Sequence, residues 1–148
     1  MHTRTTSRRI VLLALALLVS FATTGLAQQK HRKVAIQVST NDPKVMNQAL
    51  NVANNLINFY KIDNISLEIV TFGMGLDMVI KDSPLQKRVE SLFAYGNVKF
   101  AVCANTMKGR KIEKDGLLAN EFIQNAIVPA GVVRLLELQD EGYTVVQP

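Results

Sequence analysis

The chain has a single cysteine and only two histidines, and each shortage removes a class of chemistry. With Cys103 alone, an internal disulfide is impossible. His31 is the only histidine outside the first 27 residues, and it sits in the basic run Lys30-His31-Arg32-Lys33, which reads as a solvated terminus. That placement argues against a Ser/His/Asp or Cys/His catalytic arrangement. No His/Cys cluster has the spacing of metal ligands, so no metal site is assigned. Internal repeats, low-complexity stretches and interdomain linkers are also missing, which leaves one domain. Acidic residues are absent before Asp42.

That last absence belongs to a targeting pattern. Arg4, Arg8 and Arg9 precede an almost continuous apolar run from Ile10 to Ala22, and Gly25 and Ala27 supply small residues for a signal peptidase. Residues 1–27 are therefore expected to be a cleaved signal peptide, leaving Gln28–Pro148 as the mature domain. The apolar run is too short for a convincing membrane span, so no membrane association is expected after cleavage. Ser7-Arg8-Arg9 permits a twin-arginine route, but the leucine-dense core fits the general secretory route better. The expected location is the periplasm or another exported compartment. Without the three signal arginines, the formal charge falls from +5 to 14 basic against 12 acidic residues. Such a balance gives no argument for nucleic acid or anionic lipid as a partner. A lone thiol in an oxidising compartment calls for an explanation.

Strand and helix patterns alternate through the rest. Val34–Ser39 reads as a strand, and Asp42-Pro43 caps a helix running to Tyr60 with Val45, Ala49, Val52, Ala53, Leu56 and Ile57 on one stripe. Ser66–Phe72 is a strand dense enough in Leu, Ile and Val to be buried on both faces. Gly73-Met74-Gly75 follows, then a helical turn at Leu76–Ile80 and a helix capped by Ser83-Pro84 that stops at Gly96-Asn97. Val98–Cys103 is the third strand. Short helices are expected at Asn105–Ile112 and Leu117–Gln124, with a very short strand at Ala126–Val128. A closing helix through Val132–Leu138 is capped by Gly142, and Tyr143–Val146 is the last strand. The alternation implies a three-layer α/β/α domain with a largely parallel sheet of about five strands; the strand order is not legible.

Ligands of open parallel sheets sit outside the carboxyl ends of the strands. Two features fall there: the Gly73–Gly75 loop and Cys103. A cysteine beginning a helix meets unpaired amide hydrogens and partial positive charge, which favour the thiolate. Lys108, Arg110 and Lys111 would add to this if they face it. Two readings of Cys103 follow, a nucleophile or sulfur carrier, or a buried residue packing as a small apolar side chain. The glycine loop reads most simply as a tight turn, lacking the third glycine and acidic residue of a dinucleotide fingerprint; it could also present amides to an anion or a bound sulfur species. Cys103 with Met107, and Met74 with Met78, repeat a four-residue spacing that would suit Cu(I), although methionines at helical spacing are commonly core filler. Nothing in these patterns implies an organic cofactor.

The segments VKFAVCANTMKGRKI, EIVTFGMGLDMVIKD and IVPAGVVRLLELQDEGYTVVQP, taken in order, resemble the DsrE/DsrF-like (YchN-like) family over roughly Lys33–Pro148. The resemblance implies a flavodoxin-like fold and a homo-oligomer, a trimer or a multiple of it. In sulfur-relay members a cysteine after the third strand accepts sulfur as a persulfide and passes it to a partner protein, and Cys103 matches that position. The leading expectation is thus a sulfur carrier or binding protein, needing no turnover, with a sulfur donor or acceptor protein as partner; Gly73, Met74, Gly75, Asn105 and Thr106, at the same sheet edge as Cys103, are expected to line its pocket. The relay members act in the cytoplasm, whereas this chain carries an export pattern.

Overall fold

The computed structural model describes residues 31–148; the signal-peptide reading lies outside them. Five strands, β1 (Arg32–Val38), β2 (Ile65–Thr71), β3 (Val98–Cys103), β4 (Ile127–Val128) and β5 (Thr144–Val146), form one sheet in the order β4-β3-β2-β1-β5. Every strand pair is parallel. Between them lie α1 (Pro43–Tyr60), α2 (Gln86–Phe93), α3 (Ala104–Arg110), α4 (Glu121–Gln124) and α5 (Gly131–Asp140).

The order explains the layers. From β1 to β4 the chain steps repeatedly in one direction, and right-handed crossovers then place the connecting helices on one face. The return from β4 to β5 runs the opposite way and puts α5 on the other face. Burial agrees. Ile36, Ile69, Phe100 and Val102 meet Met46, Leu50 and Ile57 of α1, Val89 and Leu92 of α2, Met107 of α3 and Ile123 of α4 in the larger core. On the opposite face Ala35, Val70 and Ala101 meet Leu135 and Leu138 of α5, with Phe72, Val128, Tyr143 and Val145 packed around them. β2 is buried nearly throughout, as its composition requires for a strand covered on both faces.

Helix boundaries follow local chemistry. The Asp42 carboxylate accepts from Lys44 N–H at 2.8 Å, and Pro43 occupies the first turn of α1. Gly142 follows α5 at φ +86°, where the missing Cβ removes the left-handed penalty. Three expected helices differ. The one expected from a Ser83-Pro84 cap to Gly96-Asn97 spans Gln86–Phe93, with Leu85 at its N-cap and no side-chain cap. The segment expected from Asn105 to Ile112 spans Ala104–Arg110 instead, ended by Lys111 in the left-handed region. The helix expected over Leu117–Gln124 is helical only from Glu121. Leu117 pairs antiparallel with Ile80 and both Leu117 and Leu118 are fully buried, so tertiary burial overrides helix propensity there. Among the described residues no helix is long and apolar enough to cross a membrane.

Candidate functional site

Neighbouring strands β3 and β4 send the chain to opposite faces, β3 into α3 and β4 into α5. Their carboxyl ends are therefore the switch point of the sheet, the place where open α/β sheets bind ligands. Cys103 ends β3 there, paired in register with Val128 of β4, and is 5% exposed. It also serves as the N-cap of α3, its Sγ accepting from Thr106 N–H at 3.4 Å.

Burial alone would push the Cys103 thiol upward. The Thr106 hydroxyl and the backbone N–H groups of Gly131, Thr106 and Asn105 outweigh that effect and hold it below the ordinary cysteine range. The sulfur's hydrogen bond comes from the first turn of α3, while Gly131 at the start of α5 adds to the lowering from the other face of the sheet. The Thr106 hydroxyl oxygen accepts Gly73 N–H at 2.9 Å, so its proton is not committed to the loop.

The structure therefore connects the glycine loop to Cys103 through Thr106. Two of the loop's amides have partners, Gly73 N–H on the Thr106 hydroxyl and Gly75 N–H on the Phe72 carbonyl at 3.0 Å. Gly75 is required by space: a Cβ would lie 2.2 Å from the Val38 carbonyl oxygen. Gly73 has φ +56° and is exposed, and the Met74 side chain is half exposed at the rim. Asn105 is exposed, and its N–H also donates to the Pro129 carbonyl at 3.2 Å, tying α3 to the β4–α5 loop.

The nearby cations are placed differently from expectation. Arg110 turns away to the Asp77 carboxylate at 2.5 Å and the Gly73 carbonyl at 3.3 Å, so it clamps the loop rather than facing the thiol. Lys108 and Lys111 are exposed. Met78 and Met107 are packed in the larger core, whereas Met74, the spacing partner of Met78, is half exposed. Among the described residues no group of three His, Cys, Asp or Glu side chains could hold a metal.

With this geometry in hand, the comparisons decide the family. The DsrE/DsrF-like family model matches residues 32–148. The chain belongs to the DsrE/DsrF-like family. A solved structure of a protein of unknown function from Methanobacterium thermoautotrophicum is similar with a TM-score of 0.71 at 23% identity, covering 79% of this chain and 99% of that one. At that identity the likeness concerns the fold. No curated protein matches.

In this DsrE/DsrF-like chain, the residues that sequence reasoning missed are Gly131, Phe72 and Arg134. A Cβ on Gly131 would lie 2.9 Å from the Phe72 Cβ and Cδ1, so glycine allows α5 to start against Phe72 and aim its first amide at Cys103. The Val-Pro-x-Gly run contained this signal, but nothing local ties it to a residue 28 positions earlier. Arg134 lies one turn further along α5 and grips the buried Glu68 of β2 through Nε–Oε1 at 2.7 Å and Nη2–Oε2 at 2.9 Å. Its remaining amine reaches Glu137 at 3.2 Å and Glu141 at 2.9 Å. The Glu68 hydrogen bond, working against partial burial, raises the Arg134 pKa further above its already basic value. This clamp fixes α5 on the sheet and with it the position of Gly131.

Proposed function

We propose that the chain is an exported, YchN-like sulfur-handling protein in which Cys103 carries sulfane sulfur as a persulfide. The observation that carries this reading is Cys103 ending β3 at the sheet's switch point as the N-cap of α3, its sulfur accepting Thr106 N–H at 3.4 Å and its pKa held down by the polar groups around it. Such donors stabilise a thiolate, the form that reacts. In the proposed step the Cys103 thiolate attacks the outer sulfur of a donor persulfide. The new bond joins that sulfur to Cys103, the donor's S–S bond breaks, and the donor leaves as a thiolate with the electron pair; there is no net oxidation. An acceptor thiolate discharges Cys103 by the same exchange. The same donors would hold the persulfide anion.

The exposed apolar residues Val132, Val133 and Leu136 of α5 support a homo-oligomer, since this face has no cover within the described chain. A sulfur donor or acceptor protein is the second partner of this reading, and the export pattern supports a meeting outside the cytoplasm.

The test is intact mass spectrometry after incubation with a sulfane-sulfur donor. A gain of about 32 Da, one sulfur atom, is expected in the chain and not in Cys103→Ser. Equal spectra for the two would end the carrier reading. The 5% exposure of Cys103 favours a second reading, an oligomeric binding module with a structural cysteine. That reading expects a thiol reagent to label Cys103 only after denaturation, whereas the carrier reading expects labelling of the native protein.

A further inference from the structure

The outer edge of β3 is only half paired, although Val98 and Phe100 are themselves buried. β4 pairs only with Val102 and Cys103, although β3 begins at Val98. Backbone direction alternates along a strand. Asn97 and Ala101 turn their carbonyls toward β2, accepting from Leu67 N–H at 3.1 Å and from Thr71 Oγ1 at 3.2 Å. Val102 turns outward, its N–H donating to Ala126 at 2.9 Å. By the same alternation the N–H and C=O groups of Val98 and Phe100 point outward, where no backbone partner meets them among the described residues.

Beside this edge lies a cleft of about 440 Å³ whose lining includes Val98, Phe100, Phe93, Phe122, Asn125 and the acidic Glu121 of α4. Phe93 stacks on Phe122 with centroids 5.1 Å apart and packs against Phe100 at 5.3 Å, yet Phe122 is still 58% exposed. Between Val98 and Phe100, Lys99 points to the opposite face, is exposed, and makes no ion pair among the described residues.

We infer that this edge is a docking site for an extended segment of a partner protein that carries an acidic residue opposite Lys99, flanked by apolar residues. Unpaired edge groups take an added strand through main-chain hydrogen bonds, while side-chain pockets set its sequence. Here the flanking residues would pack beside Phe100 and Phe122, and the acidic residue would meet Lys99. A second copy is the wrong occupant. Two-fold pairing of Val98 with Phe100 would set Lys99 directly opposite its own counterpart, and like charges at that spacing repel. The inference is independent of sulfur chemistry at Cys103.

The experiment uses the 15N-labelled chain with two blocked pentapeptides, Thr-Val-Glu-Val-Thr and Thr-Val-Lys-Val-Thr. Amide shifts confined to Val98, Phe100 and their neighbours are expected, with the Glu peptide binding about fivefold tighter. Lys99→Glu, an exposed substitution, should invert that preference, and Phe122→Ala should weaken both peptides. Absence of shifts at about 1 mM peptide, or equal affinities in both proteins, overturns the inference. So does protection of these amides from hydrogen exchange without peptide: concentration-dependent protection assigns the edge to a second copy, and concentration-independent protection to the chain itself.

Discussion

Replacing Arg134 by Met tests whether α5, and with it the Cys103 site, is held by the ion cluster. Methionine keeps most of the aliphatic stem but removes the guanidinium. Glu68, whose side chain is 5% exposed, then loses both of its charged donors at once. Removing one partner of a buried pair costs about 3–5 kcal/mol, because the other charge stays desolvated. Leu135 and Leu138, the two aliphatic anchors of α5, contribute about 1.5–3 kcal/mol each by burial, so the clamp is worth as much as both together. For a domain of this size the loss corresponds to a fall in Tm of roughly 12–20 °C. Glu68→Gln should cost only about 1–2 kcal/mol, because Glu137 and Glu141, half exposed, still balance Arg134. The double variant should then lose at least about 1.5 kcal/mol less than the two single losses summed. Urea denaturation followed by far-UV circular dichroism reads all three, with hydrogen exchange of α5 as the local probe. A loss below about 1 kcal/mol in Arg134→Met would place the pair with ordinary surface bridges and refute the reasoning.

The lowered Cys103 pKa stabilises the folded state only when the thiolate forms. That contribution is full above the ordinary cysteine range and lost as pH falls through the folded value. Accordingly, the stability advantage of the native chain over Cys103→Ala should grow from neutral to alkaline pH in denaturation curves. Thr106→Val should raise the alkylation midpoint of Cys103 and Thr106→Ser should restore it; an unmoved midpoint in the valine variant rules out a role for the hydroxyl. Gly131→Ala places a Cβ against Phe72 and should cost about 1–3 kcal/mol while also raising that midpoint, measured by the same two assays. Burial first, and then the Glu68 and Glu141 charges, raise the Tyr143 pKa against the opposing pull of Arg134. An ultraviolet titration should show one of the three tyrosines ionising late, and Tyr143→Phe should remove that phase.

What the sequence determined by itself was local and periodic. β-branched runs set β1 to β3 to within two residues, Asp42-Pro43 set the start of α1, and alternation of strand and helix set a parallel sheet covered on both faces. These features depend on neighbours within a few positions, so they survive without any tertiary information. Cys103 was placed at a strand end for the same reason. The tertiary structure decided the rest. Only the order β4-β3-β2-β1-β5 brings Gly131 beside Cys103 and puts both at the switch point. Only packing shows that Arg110 serves Asp77, that Met107 is core, and that Leu117 leaves a helix to bridge Ile80. The thiol's environment is set by groups 3 and 28 residues away together, Thr106 and Gly131. No spacing rule encodes that meeting, because it exists only once one long crossover has returned α5 to the uncovered face of the sheet.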